Sequence, residues 1–257
     1  MSYIEVRDVS RLYPKNDGSF TALDQVNLTV EQGEFICLLG PSGCGKSTLL
    51  SILAGFDHPT SGSASIGGVP VTAPSIRNVT IFQNYGLLPW RTVEKNVELG
   101  LESLHKGKEE RRETALRYLK LVALAPFAEH YPSELSGGMQ QRVAIARALA
   151  VDPDILFMDE PFAALDAITR MNLQDEISAI CREQKKTILF VTHDIDEAIV
   201  LADRIVIMTP NPGKIKTILP VDLHGRRDRT SPDFLHIRDK VFTAFALKPE
   251  DKTEYYI

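Results

Sequence analysis

The sequence predicts an α/β fold in which a parallel sheet is wrapped on both faces by helices, with an antiparallel β-layer in front and a helical segment inserted. Three observations carry this expectation. Strand-length apolar runs at residues 34–39, 155–158 and 187–191 are separated by helical stretches, the pattern of parallel strands joined by crossover helices. The first thirty residues instead alternate apolar and polar, as half-buried antiparallel strands do. From Thr92 to about His130 the periodicity turns helical.

In chain order, residues 3–9 read as a strand and residues 23–30 as its return partner across a polar turn. Residues 34–39 form the first buried strand and residues 46–54 the helix after it. Further strands are expected at 62–71 and 78–82. Residues 85–135 form the helical insertion, whose clearest amphipathic piece is 109–121, with Ala115, Leu116, Leu119 and Val122 at three-and-four spacing. A helix from Gly137 to about Ala150, the strand 155–158, a helix over 167–183 and the strand 187–191 follow. Residues 203–219 offer two more strands around the turn Pro210-Asn211-Pro212-Gly213, and residues 232–247 a last helix. No internal repeat is visible, so the chain carries one nucleotide site's worth of motifs.

Composition narrows the function classes. The 257 residues are 44% hydrophobic and 25% charged with net charge −5, which offers no large sequence-independent surface for nucleic acid; no nucleic-acid partner is expected. No segment approaches the twenty-odd apolar residues of a membrane span, and the first residues show no basic-then-apolar secretory pattern. Cys37, Cys44 and Cys181 lack metal-ligand spacing and suggest a reduced, cytoplasmic setting.

The most informative run is Gly40-Pro41-Ser42-Gly43-Cys44-Gly45-Lys46-Ser47-Thr48, which fits G-x-x-x-x-G-K-[ST] and sits between a predicted strand and a predicted helix. Glycines let the backbone wrap phosphate oxygens, the helix start aims free N–H groups at them, Lys46 adds positive charge, and Ser47 is left to ligate Mg²⁺. Cys44 is expected to serve simply as a small residue. Asp159 and Glu160 close the strand 155–158. Adjacent residues there project in different directions, so Asp159 can hold Mg²⁺ through its water shell while Glu160 deprotonates a water attacking the γ-phosphate. An exposed acidic turn is the alternative, made less attractive by four apolar residues ahead and Pro161 behind. A second helix start suited to phosphate appears at Leu135-Ser136-Gly137-Gly138-Met139-Gln140-Gln141, where Ser136 can cap the helix and two glycines leave its end uncovered.

With Gln83, Asp166 and His193, these motifs stand in the order found in ATP-binding-cassette ATPases, which residues 3–220 resemble. The resemblance implies a P-loop NTPase with a RecA-like core, a single ATPase domain over residues 1–220 and a C-terminal helical tail over 221–257. It implies ATP and Mg²⁺ as cofactors and hydrolysis of ATP as the activity. Residues 135–141, including Ser136, Gly137, Gly138 and Gln140, look like the signature motif that contacts the nucleotide held by the opposite subunit. A head-to-tail homodimer would then use both phosphate-binding helix ends. Gln83 resembles the glutamine that reaches Mg²⁺ and the attacking water, His193 the histidine at the γ-phosphate, Asp166 the acid of the loop after the strand-end carboxylates, and Tyr13 the aromatic that stacks on adenine. Core packing or a surface position remains the other reading of Tyr13.

Residues 82–93, 161–166 and 210–215 resemble the nitrate, aliphatic-sulfonate and taurine importer group. That implies a peripheral subunit on the cytoplasmic face of the inner membrane, working with integral-membrane permease subunits and indirectly with an extracytoplasmic solute-binding protein. A soluble ATPase clamp or assembly factor without a membrane partner is the rival reading. Trp90 is expected either against the permease or buried in the helical insertion, and Arg226-Arg227-Asp228-Arg229 as a solvated basic face.

Overall fold

The computed structural model describes residues 2–15, 18–82, 85–223 and 227–245. It begins with a long antiparallel pair, β1 (Ile4–Lys15) and β2 (Gly18–Val30), in which Ile4 faces Val30 and Tyr13 faces Phe20. β3 (Phe35–Leu39) runs through the glycine-rich loop into α1 (Lys46–Leu53). The stretch expected as one strand over 62–71 is instead a hairpin, β4 (Ser61–Ile66) and β5 (Val69–Pro70), because Gly67 and Gly68 both turn left-handed, at φ 57° and 78°. β6 (Asn78–Ile81) precedes the helical insertion.

That insertion holds α2 (Val93–Ser103) and α3 (Lys108–Leu121) and leads into α4 (Gly137–Ala150). α3 stops where Ala123 turns left-handed at φ 54°, and its last carbonyls accept the Leu124 N–H at Leu119 and the Ala123 N–H at Lys120. After it come β7 (Ile155–Asp159), α5 (Ala167–Glu183), β8 (Thr187–Thr192), α6 (Ile195–Leu201), β9 (Arg204–Thr209), β10 (Lys214–Pro220) and α7 (Pro232–Ala244).

Among the described residues the strands form two sheets, one ordered β2-β1-β4-β5 and the other β10-β9-β3-β8-β7-β6. Strands β9, β3, β8, β7 and β6 are parallel neighbours. β10 runs antiparallel to β9, a departure from an all-parallel sheet: the turn at 210–213 is too short for a crossover, so the chain can only double back.

Every residue of β3 and β8 is buried, as in a strand covered on both faces. Alternate side chains divide between two cores. Phe35, Cys37 and Leu39 of β3 join Leu156, Met158, Ile188 and Phe190 in a core closed by α2 to α7. Ile36 and Leu38 join Ile155, Phe157, Leu189 and Val191 in a core closed by α1 and the antiparallel sheet. All three cysteines are buried and unpaired.

Polar groups inside this framework fasten α6 to α5. Glu197 is buried, its Oε2 accepting the Thr192 hydroxyl at 2.7 Å and its Oε1 accepting Gln174 Nε2 at 3.0 Å. The basic stretch after β10 departs from the expected solvated face. Arg227 is almost wholly buried and donates through Nη1 to the carbonyls of Ile199, Val200 and Ala202, covering the C-terminal end of α6. Arg229 donates to Gln174 Oε1 at 2.9 Å; Arg226 lies outside the described residues.

Phe157 is wholly buried in the core beneath α1. Phe157→Ala is expected to lower the unfolding free energy by about 3–5 kcal/mol in denaturant titration; a loss under about 1 kcal/mol would contradict the packing described. Burial is the chief cause raising the Glu197 carboxyl above its usual range, with the Thr192 hydrogen bond opposing it. The folded chain therefore holds this proton more tightly than the unfolded chain, and stability contributed by it is lost as pH rises through the raised value. In melting experiments at pH values from about 4 to about 7, Glu197→Gln should gain steadily on the unsubstituted chain, and a pH-independent gap would count against this.

Candidate active site

The phosphate loop is built from outside itself. Gly45 has φ 92°, and a Cβ there would lie 2.5 Å from Leu23 Cδ2 and 2.8 Å from the Ala22 carbonyl of β2. Only glycine lets that strand press so close to the start of α1. Cys44 is buried behind the loop, its Sγ filling the space a Cβ on Gly40 would need. Pro41, Ser42, Gly43 and Ser47 stay exposed on the rim, with Thr48 half-buried behind them.

Lys46 is only 6% exposed, and its Nζ donates to the carbonyls of Gly40 at 2.7 Å and Pro41 at 3.1 Å. An ammonium group is thereby held under the loop with no ion pair to a carboxylate among the described residues. α1 begins at Gly45 with no side chain capping it, whereas α2, α4, α5, α6 and α7 are capped by Thr92, Ser136, Asp166, Asp194 and Ser231. Its first N–H groups are available to an anion, and together with Lys46 they suit a polyphosphate.

Because β3, β8 and β7 are adjacent and parallel, their carboxyl ends bring this loop beside His193 and the pair Asp159 and Glu160. The Ser47 hydroxyl stands close enough to the Asp159 carboxylate to favour its charged form. Burial raises the Asp159 pKa, the Ser47 hydroxyl opposes this, the Glu160 carboxylate adds to it, and Lys46 offsets part of it. A serine hydroxyl and a carboxylate in contact, with surplus negative charge, are the hard oxygen donors that fit Mg²⁺.

Glu160 takes a left-handed φ of 47°, and its N–H donates to the Val191 carbonyl at 3.0 Å. This turn separates its side chain from that of Asp159. Glu160 Oε1 lies 3.2 Å from His193 Nδ1. His193 is the central residue of a turn in which Thr192 Oγ1 accepts the Asp194 N–H at 3.0 Å. Asp194 then caps α6 through the N–H groups of Asp196 and Glu197. Gln83, expected beside these residues, lies outside the described residues.

The second helix start stands in the insertion. Ser136 Oγ accepts the Met139 N–H at 3.3 Å, capping α4 as expected. A Cβ on Gly137 would lie 2.9 Å from Tyr85 Oη, and one on Gly138 would lie 3.2 Å from Leu165 Cδ2. Gln140 donates through Nε2 to the carbonyls of Pro132 at 3.0 Å and Leu135 at 3.2 Å, so it ties down the turn before α4. Asp166 caps α5 by accepting the Thr169 N–H at 3.0 Å. Tyr13 is half-buried on β1: its hydroxyl donates to Asp57 Oδ2 at 2.6 Å and the Arg11 guanidinium lies 4.5 Å from its ring centre. Trp90 is 71% exposed, which removes the reading in which it is buried in the insertion.

Sequence reasoning missed Thr192, Gln174, Glu197, Arg227 and Arg229. One signal existed: Gln174 interrupts the stripe Leu173, Ile177 and Cys181 that buries α5. A polar residue on an apolar stripe needs a partner, although its identity is fixed only by the packing of α6.

Comparison with known proteins agrees with this geometry. A family model described as ABC transporter matches residues 23–163. An uncharacterized ABC transporter ATP-binding protein of Methanocaldococcus jannaschii is 51% identical over 93% of this chain and 89% of its own length. An aliphatic sulfonates import ATP-binding protein of Bacillus licheniformis is 48% identical over 94% of each chain. A bicarbonate transport ATP-binding protein of Synechocystis is 47% identical over 90% of this chain and 84% of its own. Among solved structures, a dimeric post-hydrolysis state of an ATP-binding cassette bound to ADP and phosphate superposes with a TM-score of 0.79 at 36% identity, over 86% of this chain and 99% of that one. Strand-end geometry and sequence similarity thus lead to one conclusion: the chain belongs to the ABC transporter family and is an ATP-binding-cassette ATPase.

Proposed function

We propose that this chain is the ATP-hydrolysing subunit of an importer for a small anionic or zwitterionic solute such as an aliphatic sulfonate, taurine, nitrate or bicarbonate. The observation that carries the catalytic part is the convergence of buried Lys46, the Ser47–Asp159 contact and the Glu160–His193 contact at three neighbouring strand ends. The solute class is supported by similarity to the sulfonate and bicarbonate transport subunits.

Two copies close head to tail on two ATP molecules. In each site one copy supplies the phosphate loop, Gly40 to Thr48, while its mate supplies Ser136, Gly137 and Gly138 at the start of α4. Ser47 and Asp159 would hold Mg²⁺, which when bound would offset charge on the phosphates. Glu160 orients a water and takes its proton as the water oxygen bonds to the γ-phosphorus and the bond to the bridging oxygen breaks. His193 holds Glu160 and the γ-phosphate in register, and Gln83, as the resemblance implies, would reach the metal and the water. Tyr13 stacks on adenine with the ring face that Arg11 leaves free. Asp166 and Gln140 act from behind, each fixing a helix start or turn at the closing surface.

Residues 1–220 work as one ATPase domain and residues 221–257 as its C-terminal tail. On the cytoplasmic face of the membrane, exposed Trp90 packs against a permease subunit, so that closure and reopening of the pair move the permease.

Four measurements test this reading. Glu160→Gln should lower kcat by about 10²–10⁴ while ATP still binds, and should accumulate closed dimers in size-exclusion chromatography with ATP; undiminished turnover would contradict the assignment. Lys46→Ala should weaken ATP binding by at least about tenfold, and an unaltered affinity in titration would count against the loop. Paired cysteines, Ser42→Cys on one copy and Ser136→Cys on the other, should crosslink when nucleotide and membrane partner are present. Capture from detergent-solubilised membranes should recover a multi-helix permease; recovery of soluble proteins alone would favour an assembly factor.

A further inference from the structure

Three arginines of the segment after β10 grip the helix that follows His193. Arg227 covers the C-terminal carbonyls of α6, Arg238 on α7 lies 3.1 Å from Asp196 in the first turn of α6, and Arg229 reaches between α5 and α6. Of these, Arg229 joins a buried polar chain that ends at the catalytic turn.

Each link in that chain has one direction. An arginine side chain only donates, so Arg229 Nη2, at 2.9 Å, requires the amide oxygen of Gln174 to face it. The amide nitrogen of this wholly buried residue must then point the other way, to Glu197 Oε1 at 3.0 Å. The other carboxylate oxygen of Glu197 takes the hydroxyl hydrogen of Thr192 at 2.7 Å. With its hydrogen committed, Thr192 Oγ1 presents a lone pair to the Asp194 N–H and closes the turn around His193. His193 carries its Nδ1 to within 3.2 Å of Glu160. Arg170 stands 3.8 Å from Glu197 Oε1 but its Nε makes no hydrogen bond, so it contributes charge without fixing any orientation.

We propose that Arg229 is a positioning residue for ATP hydrolysis, acting through Gln174, Glu197 and Thr192 to hold the turn that places His193 beside Glu160. Without Arg229 the Gln174 amide is free to rotate, Glu197 loses an oriented donor, and the Thr192 hydroxyl is no longer compelled to point away from Asp194. A displacement of the His193 ring by about 1 Å is enough to slow a positioned reaction severely. The segment after β10 is thereby part of the catalytic apparatus, although it contributes no atom to the nucleotide site. This inference rests on the reading that His193 acts in hydrolysis.

Steady-state ATP hydrolysis by the full chain provides the test. Arg229→Met should lower kcat by about 5- to 50-fold with the KM for ATP changed by less than about twofold, and Arg229→Lys, which keeps a donor, should restore most of the rate. The double variant Arg229→Met with His193→Ala should be no more than about twofold slower than His193→Ala alone, because both changes remove one arrangement. Gln174→Met should reproduce the loss, and it replaces Arg229→Met if melting shows that variant to be unfolded. Losses that multiply in the double variant, or an unaltered kcat in a folded Arg229→Met, would overturn the relay while leaving the role of His193 intact. Full activity in His193→Ala would instead sink the reading of His193 itself.

Discussion

The central sheet must be covered on both faces, and the other features of the molecule follow from this. Strands β3 and β8 expose no residue to solvent, so each must find apolar partners above and below. The antiparallel sheet and α1 cover one side and the helices of the insertion and C-terminal half cover the other. Parallel strands also send all their carboxyl ends to one edge. Polar groups that cannot enter either core collect there, beside three neighbouring strand ends, and the reaction site is assembled from them.

The electrostatics of that edge are unbalanced by construction. Asp159 is partly desolvated next to Glu160, an arrangement that opposes ionisation of Asp159. Lys46 and the Ser47 hydroxyl offset this only in part. A hard divalent cation relieves the remaining repulsion, and a polyphosphate answers the lysine and the uncapped start of α1. The backbone adds its own constraint: Glu160 is held in a left-handed conformation by the Val191 carbonyl and the surrounding sheet, a strained position of the kind that persists where it aims a reactive side chain.

Contacts also tie the site to parts of the chain distant from it. Arg147 in the last turn of α4 donates to the carbonyls of Tyr85 and Gly86, while Tyr85 Oη sits against Gly137 at the start of that helix. The segment after β6 and the signature helix are therefore one mechanical unit. Leu165 and the carbonyl of Ala164 press on Gly138, which joins the same unit to the loop following Glu160. On the opposite flank, Arg227, Arg229 and Arg238 hold α6 and the His193 turn. A movement at the exposed Trp90 surface has solid structure through which to reach both glycine-rich helix starts.

Much of this was legible in the amino-acid order because it is local. The loop from Gly40 to Thr48, the cap at Ser136 and the carboxylates at Asp159 and Glu160 depend on neighbours within a few residues, and periodicity located the buried strands. Where local signals were weak the reading slipped: Gly67 and Gly68 split a strand, and Arg227 and Arg229 went inward from a stretch that reads as solvated. What the sequence determined by itself was the fold class and the candidate residues for binding and cleaving a triphosphate, since both are written in spacing and side-chain chemistry. Only the tertiary structure decided which polar groups meet, Gln174 with Glu197 and Arg229, Tyr13 with Asp57, because those partners come from elements far apart in the chain and are selected by packing of the two cores around one sheet.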